Sequence, residues 1–66
     1  MVLESSVVKD ITYCAGAQNL FVVMESGAYM YANVPLDIAA LFLVSESKGK
    51  FFNRYIKNEY NCYKLG

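Results

Sequence analysis

Ser47-Lys48-Gly49-Lys50, continued by Asn53, Arg54 and Lys57, is the stretch of this chain best equipped for chemistry. Serine is a good helix N-cap, and Gly49 lets a ligand come close to the backbone. Amides left unpaired at a helix start, with Lys48 and Lys50 beside them, make a place for a phosphate or carboxylate. Asn53 adds a neutral donor one turn on. At about 100° per residue, Lys50, Arg54 and Lys57 fall within about 60° of one another, with Phe52, Tyr55 and Ile56 opposite. The spacing is not a P-loop, because no glycine stands at the required distance upstream and no strand leads in. The plainer alternative is a solvated helix face that happens to be basic.

Charge is distributed unevenly along the chain. Six Lys and Arg balance six Asp and Glu overall, which excludes a polybasic arm or an acidic tail. Residues 1–47 carry Lys9 against Glu4, Asp10, Glu25, Asp37 and Glu46, a net of −4. Residues 48–66 carry Lys48, Lys50, Arg54, Lys57 and Lys64 against Glu59, a net of +4. The cations therefore gather at the C-terminal end, around the basic segment.

Other chemistry has less material. Tyr29 and Tyr31 share one face of an extended segment, where two aromatics can stack bases; the competing reading places them in the core. There is no histidine, the acids are scattered singly, and neither cysteine has an activating neighbour in sequence, so catalysis is not expected. Cys14 and Cys62 stand far apart with no histidine to complete a metal set. They read as two small, semi-buried, reduced residues, with Cys62 the more exposed. Neither a metal nor a cofactor is expected.

The elements that position these residues follow from patterning. With 66 residues and 7.4 kDa there is room for one small domain. Apolar residues at 56% argue against disorder. Residues Val7 to Cys14 alternate as a half-buried strand, and Ala15 to Asn19 reads as a hairpin loop. Leu20 to Glu25 is apolar on both faces, as a central strand would be. Ser26-Gly27 makes a tight turn into a third strand, Ala28 to Ala32. Pro35 opens a helix running to Val44 or Glu46, with Asp37 near its N-terminus. Ser45 to Gly49 breaks it, and a second helix runs from about Lys50 to Asn58, followed by a tail, Tyr60 to Leu65. The expectation is an α+β domain: a three-stranded antiparallel meander followed by two helices packed on one sheet face.

The first helix has almost no polar side between Leu36 and Val44. A helix apolar all round is buried all round, and a chain this short can hardly surround one of its own helices. A second copy is therefore expected to cover Leu36, Ala39, Ala40, Phe42 and Leu43, most simply in a twofold dimer. The alternative is that the second helix and the tail cover it within one chain. The longest apolar run, Ile38 to Val44, is far short of the roughly 20 residues a membrane span needs. Met1 is followed by Val2, Leu3 and Glu4, neither a basic start nor an apolar leader, which points to the cytoplasm.

The order of Ser5-Ser6, Tyr13, Tyr29-x-Tyr31, Val34-Pro35, Ser47-x-Gly49-x-Phe51-Phe52-Asn53, Ile56-Lys57 and Tyr60 resembles the KTSC domain over nearly the whole chain. That small family is named for its occurrence at the C-terminus of some lysyl-tRNA synthetases, and it also forms free-standing proteins in bacteria and phages. The resemblance brings no established activity; its synthetase association implies RNA binding, with Tyr29, Tyr31, Ser47, Gly49, Asn53 and Lys57 as the marked positions. The unusually apolar first helix departs from the family pattern and favours a self-associating, free-standing protein.

The leading expectation is a non-catalytic module that binds RNA or a small nucleotide through the Ser47 to Lys57 segment. The alternative is a protein-interaction module, such as a phage-encoded inhibitor docking on a host protein through the apolar first helix.

Overall fold

A computed structural model describes residues 8–66. Val7, the expected start of the first strand, lies outside the described residues, as do Glu4 and Ser5-Ser6. Three antiparallel strands come first: β1 (Val8–Cys14), β2 (Asn19–Met24) and β3 (Gly27–Ala32). After them come α1 (Leu36–Val44), a one-turn α2 (Lys48–Phe51), a π-helical segment over Phe52–Ile56, and β4 (Asn61–Lys64). The strands lie in the order β1-β2-β3-β4 and every neighbouring pair is antiparallel. The α+β class and the meander hold. The count of strands does not: the expected tail is a fourth strand, added to the edge of β3.

The turns follow from their residues. Gln18, at φ 57°, closes the β1–β2 loop, and its carbonyl accepts the Val34 amide at 2.9 Å. Gly27, at φ 140°, opens β3 in a conformation that side chains rarely adopt. A Cβ at that position would run into the Gly66 carbonyl. Val34 is pinned a second time, because the Tyr13 hydroxyl donates to its carbonyl at 2.6 Å. Pro35 sits just ahead of α1 as its cap, with Leu36 the first helical residue.

The helices cover one face of the sheet. Leu20, Val22 and Tyr31 point to the helices and pack with Val34, Ala39, Phe42, Phe52 and Ile56 in a single buried cluster. On the reverse face, register aligns Thr12, Phe21, Met30 and Tyr63 as one row across all four strands. Among the described residues, no helix is long and apolar enough to cross a membrane.

Two corrections concern α1. Ala39 and Phe42, expected at a subunit boundary, are fully buried in the chain's own core. They stand three residues apart, on the one stripe of the helix that faces the sheet. Phe42 stacks on Phe51 with ring centres 5.4 Å apart. Leu36, Ala40 and Leu43 lie on the exposed side, and Leu41 and Val44 join them there.

Candidate ligand-binding site

The basic segment is a compound helix. Lys48–Phe51 makes one α-turn, and the chain then widens into π geometry over Phe52–Ile56. The amide of Lys57 donates to the carbonyl of Phe52 at 2.8 Å, five residues back, which closes the π segment. Phe52 and Ile56 are buried while Tyr55 is 45% exposed, so the wider turn rotates Tyr55 away from the expected apolar side. The element starts two residues earlier than expected and stops at Ile56 instead of Asn58. π segments are rare, and they occur disproportionately at functional sites.

Lys50, Arg54 and Lys57 are all exposed. Lys50 and Arg54 are four residues apart, a spacing that brings helical side chains together. Among the described residues, no acid forms an ion pair with any of the three. Arg54 is the best-fixed of them. Its guanidinium lies over the Tyr55 ring, 5.8 Å from the centroid. Tyr55 in turn contacts Phe51 at 4.7 Å, and Phe51 stacks on buried Phe42. A ladder of rings thus ties this cation to the core. Asn53 is exposed on the same segment and already engaged in an interaction of its own.

The start of the segment lacks the expected Ser47 cap. Instead the Ser45 hydroxyl donates to the Ser47 carbonyl at 3.1 Å and accepts the Ser47 amide at 3.2 Å. Lys48 is spent inside the fold, its ammonium donating to the Ser45 carbonyl at 2.7 Å. There it stands at the carbonyl end of α1, where the helix dipole favours a cation. Gly49 is half-buried within a turn too short to align many peptide dipoles. Ser47, Lys48 and Gly49 therefore shape the break between helices, while the cations beyond them face solvent. Ser45-x-Ser47 offers two hydroxyls of equal capping power, and spacing alone does not choose between them.

Tyr29 and Tyr31 are corrected as stacking residues. Both lie on the covered face: Tyr31 is 4% exposed and meets Phe52 edge-on at 5.5 Å. Tyr29 packs at the margin of the core, its hydroxyl 3.0 Å from the Ser26 hydroxyl. On the reverse sheet face the aromatics are half-buried Phe21 and exposed Tyr63, which sequence reading missed. The period-two pattern of β2 placed Phe21 opposite Leu20, and only the unrecognised β4 brings Tyr63 beside it.

Burial, and then its side-chain hydrogen bond with the Cys62 thiol, push the Tyr31 hydroxyl well above the usual tyrosine value, with Cys62 and Tyr29 adding to it electrostatically. The unfolded chain therefore loses this proton first. Stability from the buried hydroxyl is complete below about pH 10 and declines as pH rises beyond it. Tyr31→Phe should shrink the difference in urea midpoint between about pH 8 and about pH 11. An unchanged difference would show that Tyr31 does not govern the alkaline limb.

Both cysteines are free and exposed, not semi-buried. Cys14 on β1 and Cys62 on β4 lie at opposite edges of the sheet, three strand spacings apart. That is about 14 Å, twice the reach of a disulfide, so one chain cannot join them. Among the described residues, no three of His, Cys, Asp or Glu gather as metal ligands do.

The sequence model of the KTSC domain matches residues 4–60. The crystal structure of a KTSC domain protein from Yersinia pestis is similar at 33% identity and a TM-score of 0.89, over 100% of this chain and 94% of that one. No curated protein matches the chain.

Proposed function

This chain belongs to the KTSC domain family, and we propose that it is a non-catalytic cytoplasmic module binding a phosphate-bearing ligand, RNA or a small nucleotide. The observation that carries this reading is the exposure of Lys50, Arg54 and Lys57 with no acid paired to them among the described residues. Unneutralised cations on one short segment supply the salt-dependent attraction on which backbone recognition of nucleic acid rests. The ring ladder beneath Arg54 reduces the entropy lost when its guanidinium meets a phosphate.

Three cations hold an RNA strand weakly, and a second copy presenting the same segment would strengthen the hold through avidity. Exposed Leu36, Leu41, Leu43 and Val44 on α1 favour such a pairing. The same leucines support the second reading, a protein-interaction module that docks on a host protein through α1. A thermal-shift series separates the two. Mixed RNA should raise the melting temperature at low salt, and the gain should vanish at high salt. No gain at any salt would remove the phosphate reading and leave the docking one.

A further inference from the structure

The three non-glycine residues with positive φ are Gln18, Asn33 and Asn58 among the described residues. Two of them, Asn33 at φ 60° and Asn58 at φ 69°, line one cleft of about 280 Å³ together with Ala32, Glu59, Tyr60 and Asn61. The cleft lies where β3 ends and β4 begins, against the turn that leaves the π segment. Left-handed asparagines at chain reversals are ordinary in themselves. Their convergence with Asn61 is what matters, because it brings three carboxamides, a carboxylate and a phenol to one concavity. Among the described residues, the side chains of Asn33, Asn58, Glu59 and Asn61 have no hydrogen-bond partner in the fold. Their donors and acceptors are available to something else.

Resting on the phosphate-binding reading, we infer that this cleft holds one unpaired nucleobase bearing an exocyclic amino group. Lys57, one of the three exposed cations, immediately precedes Asn58, so a nucleotide whose phosphate meets Lys57 has its base within reach of the cleft. The volume falls just below the range of about 300–1,000 Å³ that takes drug-sized ligands, which suits one ring system and not a dinucleotide. A carboxamide presents a donor and an acceptor side by side, the pattern that reads a base edge in two bonds. Glu59 can only accept. It complements the exocyclic amino group of adenine, cytosine or guanine, whereas unpaired uracil offers it only the ring N3–H, set between two carbonyl oxygens that repel a carboxylate. Tyr60, half-buried and packed against the core, forms a fixed wall of the cleft.

Free nucleosides test the cleft without phosphate, and inorganic polyphosphate tests the cations without a base. In amide NMR titrations of the whole chain, adenosine or cytidine should shift residues 32–33 and 58–61, with uridine weaker by about fivefold or more. Asn61→Ala, at an exposed position, should weaken adenosine by a similar factor, and Glu59→Gln should narrow the gap to uridine. Equal shifts by uridine and adenosine, shifts elsewhere, or no shift with any nucleoside overturns the inference. Polyphosphate should shift Lys50, Arg54 and Lys57 in a salt-dependent way. If it shifts nothing while adenosine still fills the cleft, the phosphate reading falls and the base site stands; the reverse pattern removes the base site alone.

Discussion

Phe42→Asp is expected to leave the chain unfolded, with flat near-ultraviolet dichroism and collapsed amide dispersion. Phe42 is fully buried at the meeting point of α1, Phe51 and Phe52, with ring centres at 5.4 and 6.4 Å. Removing a buried phenylalanine costs about 3–5 kcal/mol before any charge is introduced. A desolvated carboxylate in its place adds several more. A domain of this size has a stability near the low end of about 5–15 kcal/mol, so the sum exceeds it. Leu43→Asp, one residue along at 45% exposure, should stay folded. If a second copy covers α1, that change lowers the mass in solution from dimer to monomer. A Phe42→Asp chain that remained folded would place Phe42 outside the core. A Leu43→Asp chain with the parent's mass would remove α1 from any interface.

If the proposed function holds, Lys50→Glu combined with Arg54→Glu should abolish RNA binding while leaving the chain folded, with a melting temperature lowered by about ten degrees at most. Both side chains are exposed and unpaired with acids among the described residues, and surface changes of this kind usually move stability by less than about 0.5 kcal/mol. Loss of the Arg54–Tyr55 contact adds a cost of about 0.5–1 kcal/mol. The effect on binding is far larger, because two attractive charges become two repulsive ones. At low salt the affinity should fall about a hundredfold or more. Retained binding with a folded variant would move the site away from this segment.

The contrast between Phe42 and Leu43 also shows what the amino-acid pattern can convey. β1, β2 and β3 are legible because alternation and turn residues report burial on one side of each strand. β4 is not: Asn61, Cys62, Tyr63 and Lys64 are all exposed, and this edge strand is held by backbone pairing to β3, which leaves no mark on side-chain pattern. The apolar α1 announces a helix yet conceals which stripe faces inward, since Leu36, Ala39, Phe42 and Leu43 are all acceptable in a core. Only the position of the sheet selects Ala39 and Phe42.

At the candidate site the same division holds. The cations at 50, 54 and 57 are visible as a charge pattern, because exposed charge tracks sequence directly. The absorption of Lys48 by the Ser45 carbonyl is a tertiary outcome, set by how the break between helices closes. Tyr29 and Tyr31 show the limit of strand periodicity: it places two rings on one face without saying whether a helix covers that face. The cleft at Asn33, Asn58 and Asn61 joins residues from two ends of the chain's second half, and it exists only once β4 is paired.

The most direct test is the salt dependence of single-stranded RNA affinity for the parent chain and for Lys50→Glu/Arg54→Glu. With Lys50, Arg54 and Lys57 each neutralising one phosphate, the logarithm of the binding constant should fall with the logarithm of salt at a slope of about −2. The double variant should show no measurable binding. A slope near zero, or the same slope in both proteins, would contradict the account.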